Sequence, residues 1–174
     1  MWLMVRSALW AAVLPGMTVF FIPWRFFGVS SSSVEPTNPM HLTGLVFVAG
    51  GASLLAACVW EFARRGRGTL SPLDPPRRLV ISGLYRFVRN PMYVGAALVL
   101  IGANLIVPST GLLVYSLSWF ATVSTFVRLH EEPALRRSFP DQYHAYVAAV
   151  PRWIPRLTPA RTDPEPRVRT RPSL

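Results

Sequence analysis

The chain has 174 residues, one domain's worth, of which 51% are hydrophobic and only 15% charged. An ordinary soluble domain is about a quarter charged, and a lone cysteine, Cys58, excludes a disulfide scaffold. All eighteen basic residues are arginine, against eight acids, so a net charge of +10 must meet either a membrane or a nucleic acid.

A bilayer core about 30 Å thick needs about 20 apolar residues per helix. Four segments read as such helices. The first covers residues 3–22, with Arg6 near its start and Pro15-Gly16 at mid-depth. Phe21, Ile22, Pro23 and Trp24 offer no small-residue cleavage site, so the segment reads as a retained helix and not as a secretory signal. The second, residues 42–62, is uncharged until Glu61 and carries small residues such as Gly44 and Gly51 that allow close helix approach. The third, residues 92–107, is short, with Gly95 and Gly102 seven residues apart on one face. The fourth, residues 111–129, has no charge before Arg128. Only a few residues join the last two, which predicts an antiparallel hairpin. Helices of a soluble domain would show a polar face.

The charges follow these boundaries. Seven arginines fall between Ala63 and Asn90, and eight more between Arg136 and Arg171. The connections from Pro23 to His41 and around Pro108-Ser109-Thr110 hold one and none. Arginine-rich loops stay cytoplasmic. Both termini and the long connection are therefore placed inside. This distribution argues against nucleic acid, since no zinc-finger, helix-turn-helix or stacking-platform pattern accompanies it. It leaves membrane lipids as the partners, with arginines available to anionic headgroups.

Polar residues gather at the cytoplasmic ends of the last two spans. Pro91 suits the first turn of a helix, Asn90 would be its N-cap, and the free N–H groups there favour an anion. Arg128 and Glu132 stand four apart, which places them on one face of an α-helix. They read either as a routine surface pair or as a polar pocket holding a carboxylate and an ammonium or hydroxyl. No usual zinc spacing supports a metal at His130, Glu131, Glu132 or His144. Leu135, Phe139, Tyr143 and Tyr146 then form an amphipathic face that could lie on the membrane or cap the pocket, with Pro140 expected to interrupt it. Val150 to Pro155 reads as extended.

These segments resemble the isoprenylcysteine carboxyl methyltransferases, together with the related phospholipid N-methyltransferases. The family pattern G-x-Y-R-x-x-R-H-P-x-Y-x-G runs here from Gly83 through Tyr85, Arg86, Arg89, Pro91 and Tyr93 to Gly95. After the hairpin come Arg128, Glu131, Glu132 and Leu135, then Phe139, Tyr143 and Tyr146, then Val150-Pro151-Arg152 with Ile154-Pro155. Two positions depart from the pattern: Asn90 stands for a histidine and Pro140 for a glycine.

The resemblance implies a membrane methyltransferase using S-adenosylmethionine, with a lipid-like or prenylated substrate. By position it puts cofactor contacts at Arg77, Arg78, Leu79, Val80, Tyr85, Asn90, Pro91, Met92, Tyr93 and Glu132. It puts Arg128 on the substrate side, with Arg128 and Glu132 as the catalytic pair. The expectation is an all-α integral membrane protein of about four transmembrane helices with a cytoplasmic C-terminal amphipathic segment. Residues 1–157 would form one methyltransferase-like domain, and 158–174 a disordered Pro/Arg-rich tail. The address expected is the bacterial inner membrane, with the active site in the cytoplasm. A non-enzymatic protein of the same fold is the alternative, as is an N- or S-methyltransferase. A small transporter would need polar residues at mid-depth, where the spans offer little beyond Ser, Thr and Asn104.

Overall fold

Prolines open most of the described helices, and a glycine closes the first of them. The computed structural model describes residues 16–30, 33–65, 79 and 81–160. A π-helical turn, Gly16–Phe21, runs into helix α1, Ile22–Phe27. Pro23 sits in the first turn of α1, where its missing N–H costs no hydrogen bond. It therefore does not end the helix, and the loop expected from Pro23 begins only at Gly28. There φ is +69°, a left-handed cap natural to glycine. Residues 3–15 of the first expected span lie outside the described residues.

Helix α2, Pro39–Arg65, is 27 residues long. The Asn38 side chain caps it by accepting the Met40 N–H at 2.9 Å. Its apolar part, Pro39–Glu61, has a mean hydropathy of 2.1. Helix α3, Pro91–Ile106, follows a short 3-10 turn at Gly83–Arg86. Helix α4, Thr110–Phe126, passes through a π-helical turn, Val127–Glu131, into α5, Glu132–Ser138. Phe139 then bends the chain into α6, Pro140–Ala149.

Among the described residues the structure is helical, and two continuous helices are long and apolar enough to cross a membrane: Pro39–Glu61 and Thr110–Ser138. Their outward residues are large and apolar, including Val46, Trp60, Val114 and Leu117. Helix α3 has 16 residues, a rise of about 24 Å, which is short of a bilayer core of about 30 Å.

The tightest pairing is between α2 and α3, not within the expected α3–α4 hairpin. Two glycines on each helix, seven residues apart, meet in antiparallel order: Gly44 against Gly102 and Gly51 against Gly95. A Cβ on Gly51 would stand 2.5 Å from the Gly95 carbonyl oxygen, and one on Gly102 2.5 Å from that of Gly44. Only bare backbones fit this closely. Val19, Leu55, Ala96, Val99 and Leu100 pack around the seam. Helix α4 joins α3 through Asn104, whose Nδ2 donates to Ser116 Oγ at 2.9 Å and to the Leu100 carbonyl at 2.8 Å. This polar group near the end of α3 is thus satisfied within the bundle.

Pro140 does split the C-terminal amphipathic face, as its fixed φ and lost donor require. The face survives the break. Tyr143, Tyr146, Val150 and Ala160 form a buried cluster, with Leu135, Phe139, Leu79 and Ile81 against it. The face therefore closes on the chain's own non-helical segment, residues 151–160, bent at 152–154 and 157–158 and called here the strap. Residues 158–160, expected in the tail, are docked: Ala160 is buried and its N–H donates to the Arg86 carbonyl at 2.9 Å. The tail from 161 onward lies outside the described residues.

Candidate functional site at one end of the bundle

Antiparallel α2 and α3 bring the last turns of α2 beside the start of α3, and the hairpin returns the end of α4 to the same place. Four elements thus converge: Glu61 of α2, the loop 83–90, the first turn of α3, and Glu131-Glu132 after α4. The backbone at Gly83 has φ +58°, and a Cβ there would strike the Glu61 carboxylate. Glycine is required on both counts.

The centre of the site is Glu132, only 6% exposed. Its Oε1 accepts from Arg89 at 3.0 Å and from Arg152 Nε at 2.7 Å, and its Oε2 accepts from Arg152 at 2.9 Å. Arg152 therefore grips the carboxylate with both prongs of its fork, the strongest geometry for this pair. The hydrogen bonds that Arg152 donates to Glu132 also hold its guanidinium above its usual pKa. Arg89 Nε is buried without a hydrogen-bond partner among the described residues.

The strap delivers Arg152. It is tied to loop 86–90 by main-chain bonds from Arg89 N–H to the Pro151 carbonyl and from Arg156 N–H to the Phe87 carbonyl, both 2.9 Å. Arg86 Nε donates to the Ala160 carbonyl at 2.9 Å. Asn90, 7% exposed, donates from Nδ2 to the Arg152 carbonyl at 3.2 Å. Trp153 then packs its ring against Phe120, centroids 5.2 Å apart, and against Tyr93 at 6.5 Å.

Of the expected cofactor contacts, the structure brings Tyr85, Asn90, Pro91, Tyr93 and Glu132 together. The Tyr85 carbonyl accepts from the Tyr146 hydroxyl at 2.8 Å. Burial pushes the Tyr85 and Tyr146 phenols up, so both stay neutral donors at ordinary pH. The Tyr93 hydroxyl donates to Glu131 Oε2 at 3.5 Å. Met92 turns into the bundle core and Leu79 into the aromatic cluster. Arg77, Arg78 and Val80 lie outside the described residues.

Arg128 and Glu132 differ in burial, and a π turn, Val127–Glu131, lies between helix α4 and Glu132. Glu132 is buried on its two arginines, while Arg128 is exposed beside the apolar Leu129. The expected Asn90 cap is also missing: the Asn90 side chain makes no capping hydrogen bond to α3. Sequence reasoning assigned no role to Arg152 or Trp153, although Arg152 stands in the matched V-P-R segment. Their proline-flanked setting showed only an extended chain.

Removing the Asn90 amide leaves the Arg152 carbonyl without its donor. Asn90→Ala is expected to cost about 1–3 kcal/mol of stability, measured by thermal unfolding in detergent. Asn90→His keeps a ring N–H and should recover part of it. An unchanged unfolding temperature for Asn90→Ala would show that the bond is unimportant.

Two helices long and apolar enough to cross a membrane, with a buried polar cluster at one end of the bundle, make this a helical chain of membrane type. The family model for phospholipid methyltransferase matches residues 39–142, and the chain belongs to that family. This is a family of membrane methyltransferases acting on lipid-like substrates. Neither a curated protein nor a solved structure matches the chain. The match starts at the first residue of α2 and ends inside α6, so the strap lies beyond it.

Proposed function

We propose that the protein methylates the carboxylate of an isoprenoid or other lipid-like acid, using S-adenosylmethionine, as isoprenylcysteine carboxyl methyltransferases do. The observation that carries this reading is Arg128, an exposed cation between the exposed Phe126 and Leu129 at the end of a membrane-length helix. A lipid-borne carboxylate meets there both a guanidinium fork and an apolar surface.

The residues present suit the cofactor. Its amino-acid end is a zwitterion, which needs an anion site and an acid. The start of α3 offers N–H groups that the Asn90 side chain does not cap. Glu131, bonded to the neutral Tyr93 hydroxyl, offers the acid. Glu132 holds Arg89 and Arg152 in place and so shapes the site from beneath. When bound, S-adenosylmethionine supplies an electrophilic methyl on a sulfonium. The chain's task is to orient the acceptor and keep water out, since in-line transfer depends chiefly on positioning. A carboxylate is already ionised near pH 7 and needs no base.

The distribution of arginine supports a cytoplasmic site in a chain that crosses a bacterial inner membrane several times. A phospholipid amine as acceptor is the second reading, favoured by Glu131, which could take the amine's proton.

Transfer of labelled methyl to a membrane lipid extract separates the two. Base-labile label means an ester and supports the carboxylate; base-stable label means an amine or thioether and overturns it. Arg128→Ala is expected to raise the acceptor KM about tenfold, the worth of one charge-assisted hydrogen bond, with an unchanged unfolding temperature. An unchanged KM would remove the carboxylate's cation from the argument.

A further inference from the structure

The strap carries two large apolar side chains with little or no protein over them. Ile154 is 79% exposed and Leu157 100%. Their outward position is fixed. Arg156 N–H is bonded to the Phe87 carbonyl and Ala160 N–H to the Arg86 carbonyl, each at 2.9 Å, so the segment cannot roll inward without breaking both. A soluble protein rarely pins apolar groups outward in this way unless something covers them.

Two features identify what covers them. The first is depth. Trp153 lies against Phe120, which stands six residues before the end of α4 at Phe126, about 9 Å back along the helix axis. Leu117, Phe120 and Phe126 are themselves exposed on this helix of membrane length. The strap therefore crosses the bundle where its surface is already apolar. The second is charge. Arg156 stands between Ile154 and Leu157 in the chain, and exposed Arg136 and Arg137 end α5.

We propose that Trp153–Leu157 is an interfacial anchor seated in an anionic leaflet. Ile154 and Leu157 enter the outer acyl region, Arg156 meets the headgroups, and Trp153 fixes the segment to the bundle. Apolar groups flanked by arginine, with an aromatic ring at the boundary, suit this interface. The same segment carries Arg152 into the site, so the anchor joins the Glu132 clamp to the membrane surface. The proposal does not depend on which acceptor is methylated.

The test uses the full chain in vesicles of phosphatidylglycerol and phosphatidylcholine. A fluorophore is placed at Ile154→Cys or Leu157→Cys; native Cys58 is buried and stays unlabelled. His144→Cys, on an exposed position of α6, is the control. Labels at 154 and 157 are expected to be quenched several-fold more by acyl-chain nitroxide lipid than by aqueous iodide, and the label at 144 the reverse. The difference should shrink in pure phosphatidylcholine. Quenching by iodide alone at 154 and 157 overturns the anchor, and equal lipid quenching in both vesicles overturns its anionic preference. Disulfide cross-linking between two copies at 157, without lipid quenching, would give the face to a second protomer and overturn the proposal.

Discussion

Glu132→Ala should destabilise the protein by about 3–5 kcal/mol, the usual cost of breaking a buried ion pair from one side, and should abolish methyl transfer. The size follows from what remains. Arg89 and Arg152, with side chains 11% and 27% exposed, would face each other with no anion between them. Glu132→Gln keeps the shape but not the charge, and should cost nearly as much. Arg152→Ala should cost less, because the Arg89–Glu132 pair stays charge-balanced. Unfolding in detergent measures all three. A combined Arg89→Met, Glu132→Leu, Arg152→Met variant tests whether the clamp serves stability or the site. Apolar replacement of a whole buried ion cluster is often neutral or stabilising. That variant should therefore regain much of the lost stability and remain inactive. Recovery of activity along with stability would reduce the clamp to a packing device.

The parts of this fold that were legible in the sequence are those written in local chemistry. Uncharged runs announce α2 and α4, Pro91 announces the start of α3, and Pro140 announces the break before α6. Gly95 and Gly102 mark a helix contact by their spacing, and the small residues of α2 mark a partner. What sequence spacing could not supply is pairing across the chain. Nothing local says that Gly51 faces Gly95, or that Arg152 reaches back twenty residues to Glu132. The π turn is a different case. It interrupts the 3.6-residue period between α4 and α5, and no residue in Val127–Glu131 marks it. The motif thus named Tyr85, Asn90, Tyr93 and Glu132, which the structure gathers, while the role of Arg152 and the partner of each charge could not be read from it.

The other large effect is expected at Gly51, and its neighbour supplies the control. A Cβ at Gly51 would lie 2.5 Å from the Gly95 carbonyl oxygen, 2.8 Å from Val99 Cγ2 and 2.9 Å from the Val99 nitrogen. Two of these three atoms are backbone and cannot swing aside. Helices α2 and α3 must then separate along their whole seam, since Gly44 and Gly102 meet in the same register. Gly51→Leu should cost at least the upper end of the roughly 1–3 kcal/mol typical of overpacking. Gly50 has nothing within 4 Å of its would-be Cβ, so Gly50→Ala should be neutral or stabilising by up to about 1 kcal/mol through helix propensity. Separation would also lift the end of α2 from the loop at Gly83. Gly51→Leu should therefore weaken cofactor binding by calorimetry, although it touches no residue of the site. Equal unfolding temperatures for Gly50→Ala and Gly51→Ala would show that α2 and α3 do not meet through this glycine face. A gap of several degrees, with the Gly51 variant the less stable, is the result that the backbone contacts require.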